Sequence, residues 1–176
     1  MALRSQADIR RLVERLLRDS DLNAPPVPVE KIARTLGVEV RVEPVEGDIS
    51  GFLFREGDRA VIGINRQHSV TRRRFTIAHE IGHFLLHDRQ EIHVDRQFRV
   101  HLRDDRSSQA IDPDEIAANQ FAAELLMPVD FLRFDLRDRD LDLEDDAELR
   151  VLAVRYKVSP QAMMFRLTNL GLISPL

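Results

Sequence analysis

Within the run FTIAHEIGHFLLH, His79, Glu80 and His83 read H-E-I-G-H. Two histidines four residues apart in a helix stand one turn above the other on one face. Both imidazoles can then reach a single cation at about 2.0–2.1 Å with the backbone undistorted. Glu80 follows His79 by a rotation of about 100°, which sets its carboxylate beside such a cation and within reach of a water held there. Two nitrogen ligands with an adjacent carboxylate form the pattern of metal-assisted hydrolysis, with Glu80 as general base. The flanking Ile77, Ala78, Ile81, Phe84, Leu85 and Leu86 predict a helix buried on most of its circumference. Buried imidazoles and a buried carboxylate need partners, and one shared divalent cation satisfies all three. Gly82 costs about 1 kcal/mol relative to Ala in a helix interior, so its place here points to close approach by another element.

A hydrolytic zinc takes three protein ligands and keeps one position for water. The chain has no cysteine, so the third ligand must be His, Asp or Glu. Leu86 and Arg89 stand where a metzincin carries Gly and His, which excludes that arrangement. His87 lies two turns beyond His79, about 12 Å along the axis, and reads as a polar helix-end residue suited to the negative end of the dipole. A second helix, opened by Asp112–Pro113 and stopped by Pro128, offers Glu115. Glu115, Asn119, Ala122 and Leu126 share one face, while Gln120 and Glu124 share the other. With Ala122 and Leu126 inward, Glu115 points in and Glu124 points to water. Asn119, one turn past Glu115, is placed to hold the outer ring nitrogen of a ligand histidine. Asp112 and Glu115 also have capping-box spacing, which would turn Glu115 back onto the first amide of its helix, and Asp114 is a reserve ligand.

The elements that must position these groups follow from patterning. Apolar residues from Leu3 to Leu17 recur at helical spacing, Asn23 to Pro26 breaks that helix, and PVPVEKIARTLG predicts a second, short one capped by Gly37. VEVRVEP, ISGFLFR and RAVIGIN alternate as strands, with a tight turn at Glu56–Gly57–Asp58 between the last two, predicting a small, at least partly antiparallel sheet. The motif helix opens at Ser69 to Thr71. Asp88 to Ala110 is polar and loop-rich, except that Gln97 to Arg103 alternates like an edge strand. FDLRDRDLDLEDDAE reads as a solvated helix end and linker, and AELRVLAVRY and PQAMMFRLTNL as a terminal helix pair stopped by Gly171. The expected division is a catalytic part over 1–136 and a C-terminal helical subdomain over 137–176 packed on it, or one compact domain.

Composition bounds the remaining classes. With 43% hydrophobic and 32% charged residues the chain is an ordinary globular one, no run is long and apolar enough to span a bilayer, and the charged N-terminus has no signal core. Together with the missing cysteines this leads us to expect a cytoplasmic protein. A net charge of -4 argues against a broad basic surface for nucleic acid.

Taken in order, VPVEKIARTLGVEV, ISGFLF, AVIGIN, TRRRFTIAHEIGHFLLH, EIAANQFAAELLMP and LAVRYKVSPQAMMFRLTNLGLI resemble the ImmA/IrrE metallopeptidases, zincin-like proteins that cut helix-turn-helix repressors. The block EIAANQFAAELLMP makes the resemblance specific. It implies an α+β fold, with a small, twisted, mostly antiparallel sheet on the H-E-x-x-H helix and a C-terminal part like a helix-turn-helix. It also implies His79, His83 and Glu115 as ligands of zinc or manganese, and Glu80 as base. The chain is similar to the short, phage-associated type, without the sensor-like domain of the radiation-response members.

The expected activity is a zinc-dependent endopeptidase cleaving a repressor. The rivals are an anti-repressor that binds without cutting, and a DNA-binding regulator using the terminal helix pair. For the latter, Arg166 is the only cation of the second helix and an acidic stretch precedes the pair, so packing or substrate docking is favoured over DNA binding. Arg72, Arg73 and Arg74 read as a solvated face rather than a docking site for an acidic partner. His93, His101 and Tyr156 are candidates for oxyanion stabilisation, each with a structural role as the plainer alternative.

Overall fold

The computed structural model describes residues 5–45, 49–87, 92–96, 112–137 and 146–173. Helix α1 (Gln6–Asp19) starts with a reciprocal cap between Ser5 and Asp8 and buries Ile9, Val13 and Leu17. Helix α2 (Val29–Thr35) runs to Leu36, and Gly37, at φ +76°, turns the chain into strand β1 (Val38–Glu43). Strands β2 (Ile49–Glu56) and β3 (Arg59–Asn65) form the hairpin expected from the Gly57 turn. Helix α3 (Val70–Leu86), capped by Ser69, holds the H-E-I-G-H run and is followed by β4 (Ile92–Arg96). Helices α4 (Pro113–Leu126), α5 (Val129–Leu136), α6 (Asp146–Tyr156) and α7 (Pro160–Asn169) complete the α+β chain.

The sheet order is β1-β3-β2-β4, with β1 parallel to β3 and the other two pairings antiparallel. Residues opposite each other in a ladder project to the same face, so the pleat sorts the strands. Leu53, Ile62 and Ile64 face the helices and are buried, and His93, paired with Leu53, faces the same way. Ile92 and Val94 fall on the outer face opposite Phe54 and Phe52. Helix α3 seats closely on β2: a Cβ at Gly51 would lie 2.5 Å from Thr76 Cγ2. On its other side α3 packs along α4, which α1 also contacts. A single apolar core runs from Ile9 and Val13 through Ile77, Ile81, Phe121 and Leu125 to Leu152, Tyr156, Met163 and Leu167.

Buried arginines tie the C-terminal helices to this core, against the expectation of a wet basic face. Arg74 is buried and donates to the carbonyls of Lys157 (3.2 Å) and Val27 (2.8 Å), while Arg72 donates to Ser50 Oγ (2.8 Å). Glu124 does not point to water. It is buried and pairs with Arg166, whose Nε donates to Met127 O (3.1 Å). The face opposite Glu115 is covered because α4 is enclosed on more than one side, so Arg166 closes the core instead of offering a cation. Helix α5 begins directly after Pro128, where no helix was expected, and finishes in the acidic stretch from Phe134 that was expected to hold a helix end. The edge strand seen here is Ile92–Arg96, and the segment 97–103 expected for it lies outside the described residues. Among the described residues, no helix is long and apolar enough to cross a membrane.

Candidate metal centre

Helices α3 and α4 bring His79, His83 and Glu115 together as a group able to hold a metal ion. The two imidazole Nε2 atoms lie 3.0 Å apart, and the Glu115 oxygens lie 3.2 Å from His83 Nε2 and 3.4 Å from His79 Nε2. Ligands on a tetrahedral zinc with bonds of about 2.0–2.1 Å stand about 3.3 Å apart, so the donor set has the spacing of a first coordination shell. Close approach of the helices makes this possible. A Cβ at Gly82 would meet Ala118 Cα at 3.1 Å and Ala118 O at 3.2 Å, the contact expected from a glycine inside this helix.

The outer nitrogens of both histidines are held. His79 Nδ1 lies 2.9 Å from Asn119 Oδ1, so its N–H donates there and its Nε2 presents a lone pair. His83 Nδ1 lies 3.2 Å from His87 Nδ1, and His87 Nε2 lies 3.2 Å from Asp114 Oδ1. His87 therefore sits at the helix end, as expected, and Asp114 reaches toward it rather than toward His79. Asp112 caps α4 through the Asp114 amide at 2.9 Å, and Glu115 turns into the cluster instead of completing a capping box.

Glu80 is fully buried. Its Oε2 lies 3.2 Å from His93 Nδ1, and its Oε1 has no hydrogen-bond partner among the described residues. A buried carboxylate oxygen without a donor costs about 1–3 kcal/mol or more, and it tends to persist where an outside group completes the site. The donor set of two imidazoles and a carboxylate beside this oxygen fits a divalent cation with its water.

His93 completes the cluster from β4. Its Nε2 lies 2.9 Å from Glu115 Oε1, and its ring stacks on His83 with centroids 3.7 Å apart. Burial works against its charge, but the hydrogen bonds to Glu115 and Glu80 outweigh burial and raise its pKa to about 10. Burial likewise opposes ionisation of Glu115, and hydrogen bonds from His79, His83 and His93 overcome it, holding the carboxyl well below its usual range. Burial lowers the pKa of His83 against the pull of Glu115, which favours the neutral imidazole that a metal requires. His93 was one of three oxyanion candidates; its inward direction depends on the pairing with Leu53, which local spacing does not reveal. Tyr156 is buried and donates to Asp135 Oδ2 (3.0 Å), and His101 lies outside the described residues. A separate cavity on the outer sheet face, lined by Arg41, Phe52, Phe54 and Val61 among others, contains none of these groups.

Comparison with known proteins agrees with this architecture. The chain is 27% identical over 139 residues to "Uncharacterized immunity region protein 2" of Bacillus phage phi105, the match covering 79% of this chain and 80% of the phage protein. Its fold is similar to that of a solved Mycobacterium tuberculosis transcriptional regulator, with a TM-score of 0.59 at 17% identity over 92% of this chain. The chain spans about half (47%) of that regulator's length, and at such identity the likeness is one of fold alone. The sequence profile of the IrrE N-terminal-like domain, peptidase family M78, matches residues 33–168, and those bounds enclose strands β1 to β4, the H-E-I-G-H helix and the helix bearing Glu115. The chain, a zincin-like α+β protein, belongs to this ImmA/IrrE metallopeptidase family.

Proposed function

We propose that the protein is a zinc-dependent endopeptidase of the cytoplasm that cleaves a helix-turn-helix transcriptional repressor and so derepresses a mobile element or stress regulon. The observation that carries this reading is the convergence of His79, His83 and Glu115 at ligand spacing beside the partnerless buried oxygen of Glu80. The kinship with a phage immunity-region protein supports a repressor as the substrate.

His79, His83 and Glu115 would hold the metal, with Asn119 fixing the tautomer of His79. Two nitrogens and one carboxylate suit zinc, with manganese as the alternative. A cation held there would supply polarisation of the scissile carbonyl and acidification of a water. Glu80 takes the proton of that water as the water oxygen adds to the carbonyl carbon. It returns the proton to the amide nitrogen as the C–N bond breaks, leaving a carboxylic acid and an amine, which become a carboxylate and an ammonium when the acid's proton passes to the amine. Strand β4, last in the sheet among the described residues, lies beside the centre and offers an edge for an extended substrate. Residues 1–136 carry the chemistry, and the terminal helical part, packed on it, serves docking. Burial of Arg166 supports docking over DNA binding, since α7 has no other cation.

Elemental analysis of the purified protein should find about one equivalent of zinc or manganese, reduced in His79→Ala and Glu115→Ala. Mapping of new protein N-termini in cells should place a cut in a helix-turn-helix protein with the wild type. Glu80→Gln should slow that cleavage by about 10²–10⁴-fold while keeping its metal. Repressor release that survives Glu80→Gln would establish the non-proteolytic anti-repressor instead.

A further inference from the structure

The chemistry above leaves one need unmet by the metal ligands and the base: a donor for the carbonyl oxygen as it gains charge. Such donors, fixed in advance in a water-poor site, contribute strongly to acyl-transfer catalysis. The side chains around the centre divide clearly in this respect. His79 gives its outer N–H to Asn119, His83 is held by His87, Arg55 donates to the His83 carbonyl (2.8 Å), and Tyr156 donates to Asp135. His93 differs in what engages it: it comes from a strand rather than from either ligand helix, and both of its ring nitrogens lie against groups of the centre itself, 3.2 Å from the base Glu80 and 2.9 Å from Glu115.

Geometry narrows the role further. The pairing of His93 with Leu53 commits it to the inner sheet face, and its stacking on His83 fixes the ring plane. Its side chain is 13% exposed, against none for Glu80, so solvent and a substrate reach it first. Contact with Glu80 on one side and Glu115 on the other places His93 beside the centre at which the carbonyl would be attacked. Glu115 Oε1, the acceptor of its Nε2, is also an atom placed to ligate the metal.

We propose that His93 is the catalytic donor that binds the substrate's carbonyl oxygen through its Nε2–H as the tetrahedral adduct forms, with Nδ1 anchored on Glu80. This inference rests on the endopeptidase reading and adds to it the residue that recognises the transition state. No proton leaves His93 in the step: the water's proton travels by way of Glu80 to the leaving amine, and His93 contributes a hydrogen bond alone.

The test uses the full-length protein, zinc, and an N-phosphoryl dipeptide as a tetrahedral probe, with the parent dipeptide as its planar counterpart. For His93→Gln and His93→Phe, zinc affinity measured by chelator competition should stay within about threefold of wild type, while affinity for the phosphoryl dipeptide should fall about 10²–10³-fold, the usual consequence of losing one such donor. Affinity for the planar dipeptide should hardly change. Equal phosphoryl-dipeptide affinity in wild type and variants would overturn the proposal and leave the peptidase reading intact. Loss of zinc in step with loss of the probe would also overturn it, and would make His93 a ligand or a positioning residue. A wild type that binds neither zinc nor the probe would overturn the peptidase reading and this proposal with it. Circular dichroism of both variants confirms that they fold.

Discussion

Helix α4 carries a buried acid toward its C-terminal end and, in its first turn, an acid facing the imidazoles of His79 and His83, and the two are satisfied in opposite ways. Glu124 is closed off by the protein itself: Arg166 pairs with it, the Val129 amide donates to its Oε1 at 3.3 Å, and Arg166 also binds Met127 O. None of the buried side-chain atoms without a partner belongs to that cluster. Glu115 stands in a cluster that the chain does not complete, where two imidazole nitrogens converge at 3.0 Å and Glu80 Oε1 has no donor. A polar cluster that is complete within the chain holds the fold. One whose donors converge on each other is built to receive something from outside.

The largest expected effect lies at the closed end. Arg166→Met leaves Glu124 buried and unpaired, and should lower stability by about 3–5 kcal/mol in urea unfolding. Removing both charges in Glu124→Leu/Arg166→Met should recover most of that loss, because the desolvation penalty disappears with the charge. If the double variant is as unstable as the single, the pair is contributing more than its own closure.

At the open end, the expected effect comes from metal. Zinc at about one hundred times its dissociation constant should stabilise the wild type by about 2.7 kcal/mol in thermal melts. His79→Ala should gain nothing, whereas Glu124→Leu/Arg166→Met should gain as much as wild type. Equal stabilisation of His79→Ala would place the binding elsewhere and erase the contrast between the two ends.

This contrast was legible in the sequence at one end only. The open cluster is built from local periodicity: the four-residue spacing of His79 and His83, the cap at Asp112, and the facing of Glu115 and Asn119 all follow from one helical turn. The same helical arithmetic sent Glu124 to water, because it assumes one wet face and α4 does not have one. Its partner Arg166 lies 42 residues away. Arg74 shows the same limit, since the carbonyls that bury it belong to Val27 and Lys157. His93 needed a strand register, and the parallel pairing of β1 with β3 needed a sheet order, neither of which a local pattern states. The hairpin of β2 and β3 did follow from its turn.

Smaller effects test how firmly the open cluster is braced. Asn119→Ala and His87→Ala each remove a group that holds the outer nitrogen of His79 or His83, and should weaken zinc binding by about 10–100-fold in competition with a chelator. Metal-free stability should change far less than in Arg166→Met, because both residues support the metal-binding geometry rather than close a buried charge. A loss confined to Asn119→Ala would mean that the His87–Asp114 arm serves the helix end alone.

The smallest effect distinguishes the position of Glu115 from its flexibility. Gly82→Ala gains about 1 kcal/mol of helix propensity and loses about 1–3 kcal/mol to overpacking, so its stability should fall by no more than about 2 kcal/mol. The new methyl group meets backbone atoms, Ala118 Cα at 3.1 Å and Ala118 O at 3.2 Å, which yield less readily than a side chain would. Helix α4 must then shift outward, and Ala118 lies one turn beyond Glu115, so the shift reaches the carboxylate. Zinc affinity should therefore drop, by less than the tenfold lower limit set for Asn119→Ala. Unchanged zinc affinity in a measurably destabilised Gly82→Ala would show that Glu115 reaches the ion by swinging on its own side chain, with the spacing of the two helices playing no part in its geometry.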